Sequence, residues 1–309
     1  MKVLVTGATG FVGREIVRRL CDSGDEVHAL ARSRSSASEV SPAIFHPGNV
    51  LEASSLREPC KGMEAIIHLV GVISEVGRNK FAAVHVEGTR NIVAAARAGG
   101  VRRFIHMSSL GTRVGAASRY HQSKWAAEEI VRSSGLDWTI FRPSVIYGPG
   151  DGFVNLFASL ALRSPMMPII GRGTSKYQPV PVQTVADAFV KSLAEPRAIN
   201  RTLDLCGAET FSMNQIIDEV LAVIGRERPR LHIPIWLARI QAGLLELLCS
   251  RILRKAPPLN RDQIVMLQED NVGNGDPARE LFNLQFVPFR EGIAKYLKPH
   301  GGVAQVSMP

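Results

Sequence analysis

The sequence predicts an α/β protein built on a doubly wound parallel sheet, with a smaller α/β-to-helical region after it. Short apolar runs alternate with helical patterns through the first half of the chain, as in successive βαβ units. The apolar runs are continuous, which is typical of parallel strands that are buried on both faces. A glycine-rich turn joins the first run to the first helical pattern. Together these observations favour a doubly wound sheet.

The order of the elements follows from the same patterns. Strands are predicted at Val3–Thr6, Glu26–Ala31, Ala43–His46, Ala65–Val70, Phe104–Ser108, Trp138–Arg142 and Val180–Val182, and one further short strand is predicted beyond Arg201. Helices are predicted at Phe11–Asp22, Val84–Ala98, Ser123–Ser133, Phe153–Arg163, Val185–Ala194, Met213–Ile224 and Arg290–Leu297. The rhythm changes after Gly148-Pro149-Gly150. We therefore expect a nucleotide-binding domain at residues 1–200 and a smaller domain at 201–309, with segments that can interleave.

The glycine-rich turn reads Thr6-Gly7-Ala8-Thr9-Gly10-Phe11-Val12-Gly13. Gly7 can adopt a backbone conformation that other residues avoid, Gly10 lets the main chain approach a pyrophosphate, and Gly13 lets the helix pack closely on the strand. The helix start then presents free N–H groups and its positive dipole end to the phosphates. This motif, lying between a strand and a helix, predicts a Rossmann-type dinucleotide site. Its cofactor contacts are Gly7, Thr9, Gly10, Phe11, Val12 and Gly13.

The residue after the second strand indicates which dinucleotide binds. An acidic side chain there would bind the ribose 2′-hydroxyl of NAD, whereas an arginine pairs with the 2′-phosphate of NADP. This chain has Arg32 at that point. We therefore expect NADP(H) to be favoured over NAD(H). The alternative is that Arg32 and Arg34 belong to a solvated loop.

Four motifs, taken together, resemble the extended or atypical short-chain dehydrogenase/reductases: VLVTGATGFVG near the start, FIHMSS at 104–109, YHQSK at 120–124 and FRPSVIYGPGD at 141–151. The likeness covers roughly residues 1–194. The motif order is also similar to the group that includes the NADPH-binding accessory subunit of respiratory complex I and its bacterial relatives. That second likeness continues through PPLNRDQIVMLQEDN at 257–271.

The resemblance implies further site residues. Asn49 and Val50 would line the adenine pocket, and Leu69, Val70 and Gly71 would follow the fourth strand beside the cofactor. Ser109, Tyr120 and Lys124 would match the family's catalytic serine, tyrosine and lysine, the last two also contacting the cofactor. Pro143, Ser144 and Val145 would flank the nicotinamide.

Tyr120 and Lys124 are residue types that suit proton transfer. Hydride transfer to a carbonyl leaves charge on oxygen, and a nearby proton donor lowers that barrier. The pKa of a free tyrosine is about 10, and we expect the Lys124 ammonium, one helical turn away, to lower it. Lys124 can also hold the nicotinamide ribose, while Ser109 can hydrogen-bond the substrate oxygen. In the alternative interpretation, Tyr120 is simply a packed aromatic residue.

Two functions of different classes stay open. The first is an NADP-dependent oxidoreductase, or an epimerase-type enzyme, acting on a carbonyl, sugar-nucleotide or quinone-related substrate. The second is a non-catalytic module that holds NADPH to fix its fold while it docks on a respiratory or quinone-related complex. The Tyr120–Lys124 pair favours the enzyme, and the basic charge and a long apolar stretch favour the module. We favour the enzyme narrowly.

Composition limits the partners and the compartment. The formal net charge is +9, which favours an anionic partner such as the dinucleotide or an anionic membrane. We expect no nucleic acid, since no zinc finger, RNP motif or basic-aromatic run is present. Four well-separated cysteines indicate no metal site and a reducing compartment. The strand-like run directly after Met1 leaves no room for a signal peptide, and no uncharged apolar run is long enough to span a membrane. We therefore expect a cytoplasmic protein. Nothing assigns an oligomeric state.

The apolar stretch from Ile235 to Leu253 has two interpretations. Only Arg239, Gln241 and Glu246 interrupt it, so a helix there carries more apolar surface than one stripe and must bury it. The plainer interpretation is the core of the smaller domain. The alternative is a surface for a lipid-like ligand, a partner subunit or the inner face of a membrane. Arg251, Arg254 and Lys255 would then lie near anionic headgroups.

Overall fold

A computed structural model of the chain describes residues 1–33, 35, 38, 40–253 and 255–297. The strands are β1 Lys2–Thr6, β2 Glu26–Ala31, β3 Ile44–Pro47, β4 Ala65–His68, β5 Arg103–Met107, β6 Asp137–Pro143, β7 Ile146–Tyr147, β8 Met167–Ile170, β9 Lys176–Tyr177, β10 Val180–Pro181, β11 Arg201–Leu205, β12 Phe211–Ser212 and β13 Arg230–Ile233. The helices are α1 Phe11–Asp22, α2 Arg57–Cys60, α3 Gly88–Ala98, α4 Arg119–Arg132, α5 Val154–Arg163, α6 Val182–Ser192, α7 Met213–Ile224, α8 Ile235–Glu246, α9 Arg261–Met266, α10 Asp276–Phe282 and α11 Phe289–Leu297. Two π-helical stretches, Ala82–Glu87 and Leu247–Leu253, precede α3 and follow α8.

Seven strands form one sheet in the order β11-β6-β5-β4-β1-β2-β3. Every neighbouring pair in it is parallel. The predicted doubly wound Rossmann-type fold is therefore confirmed. The chain changes winding direction at β1, which lies between β2 and β4. In such sheets the ligand crevice lies outside the carboxyl ends of the strands at this switch point.

Helices cover both faces of the sheet because strand side chains alternate in direction. Val3 and Val5 of β1 pack on the face covered by α1, α6 and α10. Leu4 packs on the opposite face, where α2, α3 and α4 lie. Both faces are apolar, so the strands appear in the sequence as unbroken apolar runs.

The smaller region has its own hydrophobic core. Residues of α5, α7, α11, β8 and β9 pack together there, and three two-stranded sheets pair β7 with β10, β9 with β12, and β8 with β13. However, β11 joins the main sheet beside β6, and α10 packs into the main core. The two regions thus interleave along the chain, and the boundary near residue 200 stays a prediction.

The apolar stretch near residue 240 forms α8 and the π-helical turn after it. The inward side of α8 carries small residues, Ala238 and Ala242, packed against Ile264 of α9. The large apolar side chains point outward and are exposed: Trp236, Leu237, Ile240, Leu244, Leu247, Leu248 and Leu253. The plain-core interpretation is therefore wrong for these seven residues, whereas Ile235 packs partly buried beside the two alanines. Within the described ranges, no helix is long and apolar enough to cross a bilayer.

Candidate active site

The glycine turn between β1 and α1 has the geometry that its sequence predicts. Gly7 has a φ of +76°, a left-handed conformation that a side chain would strain. A Cβ atom at Gly13 would collide with the Gly7 carbonyl oxygen and lie 2.7 Å from that of Ala8. Gly10 is the N-cap of α1, which has no side-chain cap and no acidic residue in its first turn. The turn therefore leaves the helix start open to an anionic group such as a pyrophosphate.

A cavity of about 210 Å³ lies outside the carboxyl ends of β1 to β4. Eight predicted cofactor residues line it: Gly7, Thr9, Arg32, Asn49, Val50, Leu69, Val70 and Gly71. Sequence reasoning did not identify seven others: Leu30, Ala31, Gly48, Leu51, Val72, Asn79 and Val84. Most of these immediately neighbour predicted residues, whereas Asn79 and Val84 come from the segment after β4. Their positions depend on how that segment folds back, and no local pattern marks it.

The wall of this cavity offers a positive charge to an anionic ligand. Among the described residues that line it, Arg32 is the sole charged one, and none is acidic. An exposed arginine without a competing carboxylate can pair bidentately with a phosphate. Arg34, the other arginine of this loop, lies outside the described residues.

The remaining predicted residues lie outside the cavity wall. Gly10, Phe11, Val12 and Gly13 belong to the start of α1, and Ser109, Tyr120 and Lys124 to the ends of β5 and α4. Pro143, Ser144 and Val145 end β6 and follow it. Gly71 connects the two groups, because a Cβ atom there would lie 3.1 Å from the Lys124 Nζ atom. The Lys124 ammonium is thus directly behind the cavity wall.

Tyr120 lies at the carboxyl end of β5, near Ser109. The Ser109 hydroxyl favours a lower pKa of the Tyr120 phenol, and the phenol ring packs edge-on against Phe81 and His85. Lys124, one turn further along α4, donates from Nζ to the Met107 carbonyl oxygen at 3.0 Å. The three residues that the family resemblance implies therefore surround one point at the carboxyl end of β5.

The electrostatics of the phenol differ from our expectation. Burial raises the pKa of Tyr120, and the nearby Ser109 hydroxyl only partly opposes this rise. The expectation that Lys124 lowers this pKa is wrong for this arrangement, because burial dominates and the ammonium is engaged with Met107. Burial also lowers the pKa of Lys124 to about 8. Near neutral pH the phenol is therefore protonated and Lys124 holds its proton loosely.

His85 is a site residue that sequence reasoning missed. Its Nε2 accepts the Val72 N–H at 2.9 Å, so the ring proton is on Nδ1 and is donated to Ser123 Oγ at 2.8 Å. Ser123 in turn donates to the Tyr120 carbonyl oxygen at 2.7 Å. Burial lowers the pKa of His85 to about 2, which keeps the ring neutral. His85 thereby ties the loop after β4 to the first turn of α4.

Cysteine and metal chemistry have no evident site in the described part of the chain. All four cysteines are free, and burial raises the pKa of Cys60 and of Cys206 to about 12. Such thiols form little thiolate near neutral pH. No group of three or more His, Cys, Asp or Glu among the described residues is arranged to hold a metal ion.

Comparison with known proteins now identifies the family. The model for the NAD dependent epimerase/dehydratase family matches residues 3–206. The chain belongs to this family. This match confirms the resemblance to extended short-chain dehydrogenase/reductases, a family that binds a nicotinamide cofactor. In Rossmann-type folds such a cofactor binds at the glycine turn and in the crevice at the carboxyl ends of the strands.

Three relatives are informative. The mitochondrial NADH dehydrogenase [ubiquinone] 1 alpha subcomplex subunit 9 of Arabidopsis thaliana is 29% identical to this chain. The match covers 93% of this chain and 74% of that subunit. Sterol demethylase protein B of Methylococcus capsulatus is 30% identical over 93% of this chain and 94% of its own length. A ceramide reductase of Caulobacter vibrioides is 36% identical over 63% of this chain and 61% of its own length. Similarity to the complex I subunit group is thus also confirmed.

Proposed function

We propose that the protein is an NADP(H)-dependent oxidoreductase acting on a carbonyl or hydroxyl carbon of a lipid-like substrate, a class that includes quinones. The observation that carries the proposal is the position of Lys124 directly behind the cavity wall, with Tyr120 one turn before it on α4. A phenol, a serine hydroxyl and a loosely held lysine proton suit acid–base work on a substrate oxygen.

The residues of the chain have distinct roles in this proposal. The bound nicotinamide supplies or accepts the hydride. Ser109 and Tyr120 hold the substrate oxygen between their hydroxyl groups, and Tyr120 donates its proton to that oxygen. Because burial raises the pKa of Tyr120, the phenol is a proton donor rather than a base near neutral pH. This favours the direction of reduction. Lys124, whose pKa is about 8, can return a proton to the phenol.

The preference for NADP(H) over NAD(H) rests on Arg32. Arg32 is the charged residue of the cavity wall, and it comes directly after β2. In Rossmann-type folds the 2′-substituent of the adenine ribose lies at that point. A charge-assisted contact with a 2′-phosphate contributes about 1.5–3 kcal/mol.

Two observations support a lipid-like substrate. The relatives named above include a ceramide reductase and a sterol demethylase protein, both named for lipids. In addition, the outward residues of α8 form a large exposed apolar surface, as expected of a protein that collects its substrate at a membrane. We therefore propose that the protein, expected to be cytoplasmic from its sequence, associates peripherally with the inner face of the membrane.

The second candidate function is an NADPH-holding accessory protein of a respiratory or quinone-related complex. The exposed surface of α8 favours it, because a partner subunit would cover the same residues. The likeness to the complex I subunit, which spans 93% of this chain, supports it as well.

A turnover assay with matched variants tests the first proposal. NADPH fluorescence is followed with a long-chain ketone, a 3-ketosteroid, a short-chain quinone and a 4-keto sugar nucleotide. We expect oxidation with a lipid ketone or quinone, and Tyr120→Phe should lower kcat by roughly 10²–10⁴ while NADPH affinity hardly changes. Lys124→Ala should reduce both turnover and NADPH affinity.

Tyr147→Phe is the control, since the Tyr147 hydroxyl is buried without a hydrogen-bond partner in the described residues. Full activity of Tyr120→Phe would remove Tyr120 from the mechanism. A wild-type protein that binds NADPH but oxidises it with no compound would favour the accessory function.

A further inference from the structure

The segment Leu259–Asn271, which contains α9, contacts the loops that follow three neighbouring strands of the main sheet. After β4, Asn260 Nδ2 donates to the Ile73 carbonyl oxygen at 3.0 Å and to Ser74 Oγ at 2.7 Å. After β5, Asn271 Nδ2 donates to the Leu110 carbonyl oxygen at 3.2 Å. After β6, Ser144 donates to Asn271 Oδ1 at 2.6 Å. The segment therefore runs along the carboxyl edge of the sheet, beside the candidate active site.

Its most direct contact with the site is made by Asp262. One carboxylate oxygen accepts the Arg119 N–H at 2.8 Å and the other accepts the Tyr120 N–H at 2.9 Å. These are the first two residues of α4, whose N–H groups have no partner inside the helix. The N-cap residue Ser118 accepts the third, from His121, at 3.1 Å. The carboxylate also lies at the positive end of the helix dipole, which strengthens both bonds.

Contacts to the backbone and to the ring of Tyr120 fix this residue in the first turn of α4. Tyr120 is in the first turn of α4, where a helix frays most readily when its end is uncapped. Asp262 holds the amide of Tyr120, Ser123 holds its carbonyl oxygen, and Phe81 and His85 hold its ring. A displacement of about 1 Å in a reacting group can cost a hundredfold in rate.

Contacts of the neighbouring residues with α8 fix the position of Asp262. Its neighbour Arg261 donates through its backbone N–H to Glu246 at 2.7 Å and pairs with the same carboxylate through its guanidinium at 2.8 Å. Ile264, on the next turn of α9, packs against Ala238 and Ala242 of α8. The carboxylate that caps α4 is thus anchored to the smaller region.

We infer that Asp262 is a positioning residue for Tyr120, supplied by the smaller region to the first turn of α4. This inference rests on the proposed oxidoreductase function for its effect on turnover, but the contact itself does not. Asp262 does not touch the reacting atoms; it fixes the backbone from which the phenol projects.

Three variants of the full-length protein test the inference. Asp262→Ala removes both oxygens that accept the N–H groups of Arg119 and Tyr120, and Asp262→Asn keeps one of these oxygens. Asp270→Asn is the matched control, because Asp270, in the same segment, accepts the Lys176 N–H at 2.8 Å away from α4. We expect kcat to fall about a hundredfold in Asp262→Ala and about tenfold in Asp262→Asn. The Kd for NADPH should stay within twofold of wild type, and Asp270→Asn should keep wild-type kcat.

Hydrogen–deuterium exchange of a peptide covering Arg119–Tyr120, measured by mass spectrometry, gives a readout independent of turnover. Its amides should exchange at least tenfold faster in Asp262→Ala and at the wild-type rate in Asp270→Asn. Unchanged exchange in Asp262→Ala would overturn the inference. So would faster exchange with an undiminished kcat. If wild type turns over no substrate, the proposed function fails, and the exchange rates alone decide whether Asp262 fixes this turn.

Discussion

In the proposed function, the choice between the two nicotinamide cofactors depends on Arg32. We predict that NADPH binds at least tenfold more tightly than NADH, and that Arg32→Ala removes most of this difference by losing a contact of about 1.5–3 kcal/mol. Titration of both nucleotides by fluorescence measures it. Arg102→Ala is the control, since this exposed arginine precedes β5. It therefore lies at the amino ends of the strands, whereas the cavity lies at their carboxyl ends. Equal affinities of wild type for NADPH and NADH would refute the assignment.

Lys124 predicts a pH dependence of stability. Burial lowers its pKa from 10.5 to about 8, so between these values the folded state binds fewer protons than the unfolded state. The free energy of unfolding therefore rises with pH across this window. Relative to Lys124→Met, wild type should gain up to about 3 kcal/mol between pH 7.5 and pH 10.5. Urea unfolding at several pH values measures the difference.

Lys191→Met corrects that comparison for the general loss of one positive charge. Lys191 lies on α6, on the other face of the sheet, and donates to the Phe282 carbonyl oxygen. A wild-type protein whose advantage over Lys124→Met is flat or falls with pH would show that Lys124 is not held in a desolvated position.

The site residues that could be predicted from the sequence are those set by local geometry or by a motif. Gly7 and Gly13 are required by a left-handed turn and by a close helix–strand contact, which the motif shows directly. His85 and Asp262 could not be predicted. Asp262 reaches Tyr120 across 142 positions of the chain, and no local pattern indicates which carboxylate will cap a distant helix. The pKa of Tyr120 was also mispredicted, because burial is a tertiary property.

At the level of elements, α8 is the part of the chain whose exposure calls for a partner. Trp236, Ile240 and Leu244 project from one side of the helix, with Trp236 and Leu244 each 64% exposed. We predict that the protein sediments with vesicles that contain anionic lipid, and less with neutral ones, because the chain is basic overall. Changing the three residues to serine should lower partitioning at least tenfold, since each contributes up to about 1.5–3 kcal/mol when buried.

The matched control for α8 changes three exposed apolar residues elsewhere, Val114, Leu156 and Leu162, to serine. That variant should sediment as wild type does. Of the basic residues predicted to meet the headgroups, Lys255 is exposed, while Arg254 and the side chain of Arg251 lie outside the described residues. Wild type remaining in the supernatant with both vesicle types would refute membrane binding and favour a protein partner for α8.

Element boundaries were predictable where pattern and capping agree. The observed bounds of α1, β2 and α7 match the predicted ones, and α7 begins at a capping box formed by Ser212 and Gln215. The sequence did not indicate β9 or β12, since each has two residues and exists only through pairing with the other. The short helices α9 and α10 were missed as well, because they have too few residues to show an apolar period.

For the whole molecule, the fold class followed from the alternation of apolar runs and helical patterns, but the connectivity between the two regions did not. The seventh strand of the sheet, β11, comes after residue 200, and α10 returns to the main core from the far side of the smaller region. The sequence patterns predicted that segments can interleave and that a short strand lies beyond Arg201, but they assigned this strand to the smaller domain. They did not predict α10 at all, so which segments return to the main sheet could not be predicted.

That sharing of the chain has a consequence during synthesis. Val3 and Phe282 belong to the same hydrophobic cluster, between the sheet and the helices on its α1 side. A ribosome adds residues at about 5–20 per second, so the part of that face that α10 covers stays open for many seconds after the early strands emerge. The growing chain therefore holds an open apolar surface for most of its translation, which is the interval in which chaperones bind nascent polypeptides.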